Sequence, residues 1–140
     1  MSHVPPAIYA RVLELTTDLL AASEADDQAT YATRYRELSS YAAALDSNGQ
    51  SHPFVTEALA DFTDDPQVAV SLYLASIEHS RHFRGEPTHT KHLALANILV
   101  DLGRIPEAQQ HIAIGLEQAR GAGDRSSVEE AARIARRLVA

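Results

Sequence analysis

The clearest chemical potential in this 140-residue chain lies in two histidine pairs, His79-Ser-Arg-His82 and His89-Thr-Lys-His92, set on either side of one loop. On a helix, an i, i+3 spacing presents both rings to one side. Four imidazoles with Glu78 or Glu86 beside them therefore have the make-up of a zinc site. Against this, the pairs flank a turn, and nothing near them is placed to orient the rings as the outer shell of a metal site does. Solvated helix ends are the simpler expectation, with no metal and no cofactor. A helical metal-dependent enzyme built on His79, His82, His89 and His92 stands as the alternative.

Carboxylates gather at Asp61, Asp64 and Asp65 and again at Glu129 and Glu130. Asp64 and Asp65 precede Pro66, and Glu129 falls in the first turn of a helix, so capping and dipole complementation account for them without acid-base chemistry. The serines at 39, 40, 47 and 51 lack a nucleophile-elbow context, and no glycine-rich stretch follows a strand to cradle phosphate. No catalytic residue is expected. Tyr31 and Tyr35 lie on an apolar stripe and read as core, whereas Tyr41 sits one step off it and is expected as an exposed contact.

Nineteen acidic against twelve basic residues leave a formal charge of −7, and the basic side chains are spread along the chain. A phosphate backbone would be repelled, so nucleic acid is not an expected partner. With no cysteine there is neither a disulfide framework nor a thiolate metal site. No apolar run approaches the roughly 18 residues of a membrane span, and the first residues lack the charged leader and apolar stretch of a secretion signal. A cytoplasmic protein away from membranes is the expectation.

Prolines and glycines fall between apolar-periodic segments and divide the chain into seven helices in an all-α fold. The first begins at Pro5-Pro6 and carries Ile8, Val12, Leu15 and Leu19. The second carries Tyr31, Tyr35, Leu38, Ala42 and Leu45. Asp46 to Ser51 is a loop. Pro53 opens a third helix with Phe54, Ala58, Leu59 and Phe62 on one side. Asp65 and Pro66 start a fourth, which runs to about His82. Thr88 caps a fifth, Gly103 ends it, and a sixth closes at Gly121-Ala-Gly123. In the seventh, Ser126 and Glu129 have capping-box spacing, and Val128, Ala131, Ala135 and Leu138 face inward.

Internal repetition then favours stacked hairpins over a simple bundle. His92, Leu95-Ala96, Leu99, Ala108 and Ile112 follow one another at the spacing of a tetratricopeptide repeat, with Gly103 at the end of its first helix and Gly115-Leu116 at the close-packed positions of its second. Shifted by 39 residues, Ala69, Tyr73, Ser76 and Ile77 fall on Ala108, Ile112, Gly115 and Leu116. Residues 53–140 thus resemble tetratricopeptide proteins, the 39-residue period being similar to their longer variants.

That resemblance implies a single domain over 1–140: an atypical hairpin over 1–50, two repeat-like hairpins over 53–122, and a capping helix over 124–140. It implies a short α-solenoid whose concave face, lined by the first helix of each hairpin, takes up a protein. Asp61, Thr90, Asn97, Asp101 and Arg136 are the residues placed on that face. A non-catalytic module binding one cognate protein, as an adaptor, chaperone or toxin-neutralising immunity protein, is the function it implies. Self-association as a homodimer is the structural alternative. The N-terminal hairpin, where the repeat pattern fails, is the expected place for what is specific to this protein.

Overall fold

The computed structural model describes residues 4–139, which form seven α-helices and no strand. Residues 1–3 and 140, which the expected unit of 1–140 takes in, lie outside the described ones. The helices are α1 (Pro6–Glu24), α2 (Gln28–Ser47), α3 (Pro53–Asp61), α4 (Pro66–Ser80), α5 (His89–Asp101), α6 (Ile105–Ala122) and α7 (Arg125–Arg137). None of them is long and apolar enough to cross a membrane.

Starts and stops follow from local chemistry. Asp27, Asp65 and Asp124 each accept backbone N–H groups from the first turn of α2, α4 and α7, supplying partners that an isolated helix end lacks. Proline opens α1, α3 and α4, where the missing N–H costs nothing. Gly123 ends α6 at φ 69°, a left-handed conformation a side chain would resist. Three expected ends differ. Thr88 makes no capping bond and instead donates its hydroxyl to Gln118 at 2.8 Å. The start of α7 is capped by Asp124 rather than by a Ser126–Glu129 box, because Asp124 already stands at the turn and reaches both the N–H and the hydroxyl of Ser127. Helix α4 stops at Ser80, two residues short of His82.

Each helix packs against its neighbour in sequence: α1 on α2, α3 on α4, α5 on α6, with α7 lying against both α5 and α6. Three apolar cores result. The first joins α1, α2 and α3 through Val12, Leu15, Leu19, Leu38 and Val55. The second joins α4 and α5 through Val70, Tyr73, Leu95 and Leu99, and the third joins α5 and α7 through Leu93 and Ile134. Ala96, Ala108 and Gly115 are buried between these helices, and at Gly115 the Leu93 side chain approaches so closely that an added Cβ would lie 2.7 Å from Leu93 Cδ2. Small side chains here set the distance between α5 and α6.

Two inward faces were expected slightly out of phase. Helix α3 buries Pro53, Val55, Ala58 and Ala60, leaving Phe54 and Phe62 half-buried, and α7 buries Ala131 and Ile134. Both are short helices wedged between two neighbours, and two-sided packing blurs a single stripe. The first hairpin meets the rest of the chain chiefly through α3.

Candidate functional site: carboxylates gathered on a buried lysine

The middle of α3 and the first turn of α5 meet at the chain's one lysine. Lys91 lies in the first turn of α5 and is fully buried. An unpaired ammonium in that position would be prohibitive, and the fold answers by surrounding it with two carboxylates and a backbone carbonyl. Nζ donates to Glu86 Oε2 of the α4–α5 loop at 2.9 Å and to the Pro87 carbonyl at 2.8 Å, and it forms an ion pair with Glu57 Oε1 of α3 at 2.9 Å. Gly85, at φ 81°, turns the loop that carries Glu86 back over the helix end. Glu57 is held a second time, accepting the Thr90 hydroxyl at 2.9 Å.

One turn further along α3, Asp61 accepts the phenolic hydroxyl of Tyr73 from α4. Asp61 keeps an exposed edge, yet protein atoms crowd its carboxylate. This crowding raises its pKa to about 6, helped by Glu57 and opposed by the Tyr73 hydrogen bond and by Lys91. Burial and Asp61 together push the Tyr73 hydroxyl up from its usual value. Glu57, Asp61, Glu86 and Thr90 line a recess of about 390 Å³ whose other walls are Val4, Phe54, Ala58 and Pro87. It is a carboxylate-rich hollow with apolar sides.

Of the residues expected on a binding face, Asp61 and Thr90 are brought together here. Thr90, Asn97 and Asp101 do share one face of α5, but its two ends serve different neighbours. Thr90 reaches α3, while Asn97 and Asp101 both accept from the guanidinium of Arg137 on α7. The basic member of the face is therefore Arg137. Arg136 makes no hydrogen bond or ion pair with this group among the described residues, since one residue along a helix is a rotation of about 100°. Tyr41 is half-buried against the first core and is not an exposed contact, because α2 turns it towards α1 and α3. Lys91, Glu57 and Glu86 were missed as a group: no spacing links the loop glutamate Glu86 to a lysine five residues on and to a helical glutamate 29 residues upstream (86 − 57).

The four paired histidines do not converge. His79 packs edge-on against Phe83, and His82 is exposed beyond the end of α4. His89 bonds Asp124 at 2.9 Å, tying α5 to the start of α7. Asp124 is thereby held at a pKa of about 2, chiefly by the Ser127 hydroxyl and then by His89. His92 stacks on His111 of α6, with the two Nδ1 atoms 2.9 Å apart. One ring donates and the other, necessarily neutral at that nitrogen, accepts; burial, then His111 and Lys91, depress His92 to about 4. Among the described residues no three histidine or acidic side chains are grouped so as to hold a metal ion.

Comparison with family models, with curated proteins and with solved structures gives no match to this chain.

Proposed function

We propose that this protein is a non-catalytic interaction module that binds one cognate protein, its hairpins from α3 onward forming a short tetratricopeptide-like stack. The observation that carries this reading is the polar row along α5. Thr90, Asn97 and Asp101 lie on one helix face and are each bound across to α3 or α7, so charged groups from three helices are held in fixed positions on one surface. Side chains ordered before binding lose less entropy on contact than free ones, which suits them to recognise a partner. A role as an adaptor, chaperone or immunity protein in the cytoplasm belongs to this reading through the resemblance alone.

Affinity capture from the source organism, with mass spectrometry of the retained proteins, identifies the partner. Exchanging the pair as Asp101→Arg with Arg137→Asp keeps an internal ion pair but inverts the surface pattern. The expected result is an affinity for that partner lower by about tenfold or more. A stoichiometric partner that binds the exchanged protein equally well would remove this face from the proposal, and capture of nothing would remove the proposal itself.

A second reading, self-association, is favoured by one feature. Tyr9, Leu13 and Leu20 are about half exposed and fall on one side of α1, away from its buried stripe. Sedimentation of the native protein and of Leu13→Glu decides it. A dimer abolished by the substitution supports this reading, and a monomeric native protein ends it.

A further inference from the structure

The turn between α1 and α2 and the linker between α3 and α4 stand side by side, and between them runs an open groove of about 820 Å³. Its floor is aromatic. Tyr31 donates its hydroxyl to the Phe62 carbonyl at 2.6 Å. The Tyr35 hydroxyl meets Thr63 Oγ1 at 2.7 Å, while Thr63 itself donates to Leu59 O at 2.8 Å. Both phenol tips are thus spent on pinning the two hairpins together, leaving ring surface beside Phe62 and the 45 % exposed Val68 to line the groove.

The rim is acidic: Asp26, Asp27, Asp64 and Asp65 face Arg36 alone among basic side chains. Two of the four have structural duties, Asp27 accepting from the N–H and hydroxyl of Thr30 and Asp65 from Gln67 N–H. Among the described residues nothing donates a hydrogen bond to the side chains of Asp26 and Asp64, and both residues are exposed. The Asp64 charge reaches into the groove, where it joins burial in raising the Tyr31 hydroxyl above its usual pKa. Asp26 is held in a left-handed conformation at φ 55°, one that aspartate and asparagine tolerate better than other side chains, at the lip of the groove.

Resting on the reading that the protein binds another protein, we propose that this groove docks a basic segment of the partner. Lysine or arginine side chains lie over Asp26 and Asp64, with an aliphatic or aromatic side chain between them on Tyr31, Tyr35 and Val68. Charge complementarity selects the occupant. An acidic segment would meet four carboxylates, and a purely apolar one would leave that rim uncompensated. The volume lies within the range of sites that enclose a small ligand or a few side chains.

The test uses the full chain and a displayed library of short random peptides. Selection is expected to enrich peptides with lysine or arginine flanking one large apolar residue, and their affinity is expected to fall as salt rises. A selected peptide, resynthesised, should bind Asp26→Asn/Asp64→Asn about tenfold more weakly. Neither side chain makes a capping hydrogen bond, and asparagine keeps the left-handed turn that ends α1, so an unchanged helical spectrum and melting temperature are expected. Selection of peptides without basic residues, failure to enrich any, or affinity unchanged in the double variant each overturns the proposal. The reading beneath it fails separately. A captured partner that is sensitive to the Asp101–Arg137 exchange but indifferent to Asp26→Asn/Asp64→Asn refutes the groove and leaves the interaction module standing.

Discussion

Replacing Lys91 by methionine keeps most of the side-chain volume and removes the charge that Glu57 and Glu86 surround. Glu86 has a side chain only 3 % exposed and Glu57 17 %, so two carboxylates would be left in a poorly solvated hollow without a counter-ion. Breaking a buried pair by deleting one partner costs about 3–5 kcal/mol, mostly from the charge left behind rather than from the attraction lost. For a chain of this length, a loss near 4 kcal/mol lowers the melting temperature by on the order of 10 °C. Thermal and urea unfolding followed by circular dichroism measure it. The same reasoning makes a second demand: Lys91→Met combined with Glu86→Gln, which neutralises the better buried carboxylate, should recover about half of the loss or more. A single variant within about 1 kcal/mol of the native protein would show that the recess is wet enough to solvate its carboxylates, and the account of Lys91 would be wrong. A loss that Glu86→Gln does not relieve would assign the cost to packing instead.

Three further outcomes follow from the same structure. His92 is depressed from an ordinary 6.5 to about 4, so between those values the unfolded chain holds the extra proton. Stability should therefore fall as pH drops through that window, by about 2–3 kcal/mol, and His92→Gln should flatten the slope in urea titrations at stepped pH. Asp61 has the opposite sign. Raised from 3.8 to about 6, it makes the native state the better proton binder between those values, so its ionisation costs stability as pH rises. Asp61→Asn, still an acceptor for Tyr73, should gain up to about 1 kcal/mol above pH 6 after allowance for its exposed edge, and nothing near pH 3. Gly115→Ala places a methyl group against Leu93, and overpacking should outweigh the gain in helix propensity for a net loss of about 1 kcal/mol, read as a lower urea midpoint.

Much of the scaffold was legible because it rests on local rules. The spacing of Val12, Leu15 and Leu19 commits α1 to one buried stripe, and Asp65-Pro66 can do little but start a helix. Short gaps at Ala25–Asp27 and Leu102–Arg104 leave consecutive helices no choice but to double back. Small residues at 96, 108 and 115 mark where α5 meets its neighbours, since only a close crossing explains them.

The chemistry of the surfaces was decided by tertiary structure. Four histidines at matching spacings look like one site, yet His79 turns to Phe83 four residues on, while the packing of α5 against α6 and α7 sends His89 to Asp124 and His92 to His111. Arg137 rather than Arg136 joins Asn97 and Asp101, because the angle at which α7 crosses α5 selects the arginine. Lys91 is, in the sequence, one of twelve basic residues spread along the chain, and only the fold of the Glu86 loop and the approach of α3 bury it. Residue spacing determines what one helix presents. Which groups meet across helices depends on crossing angles and loop paths, set by the packing of all seven together.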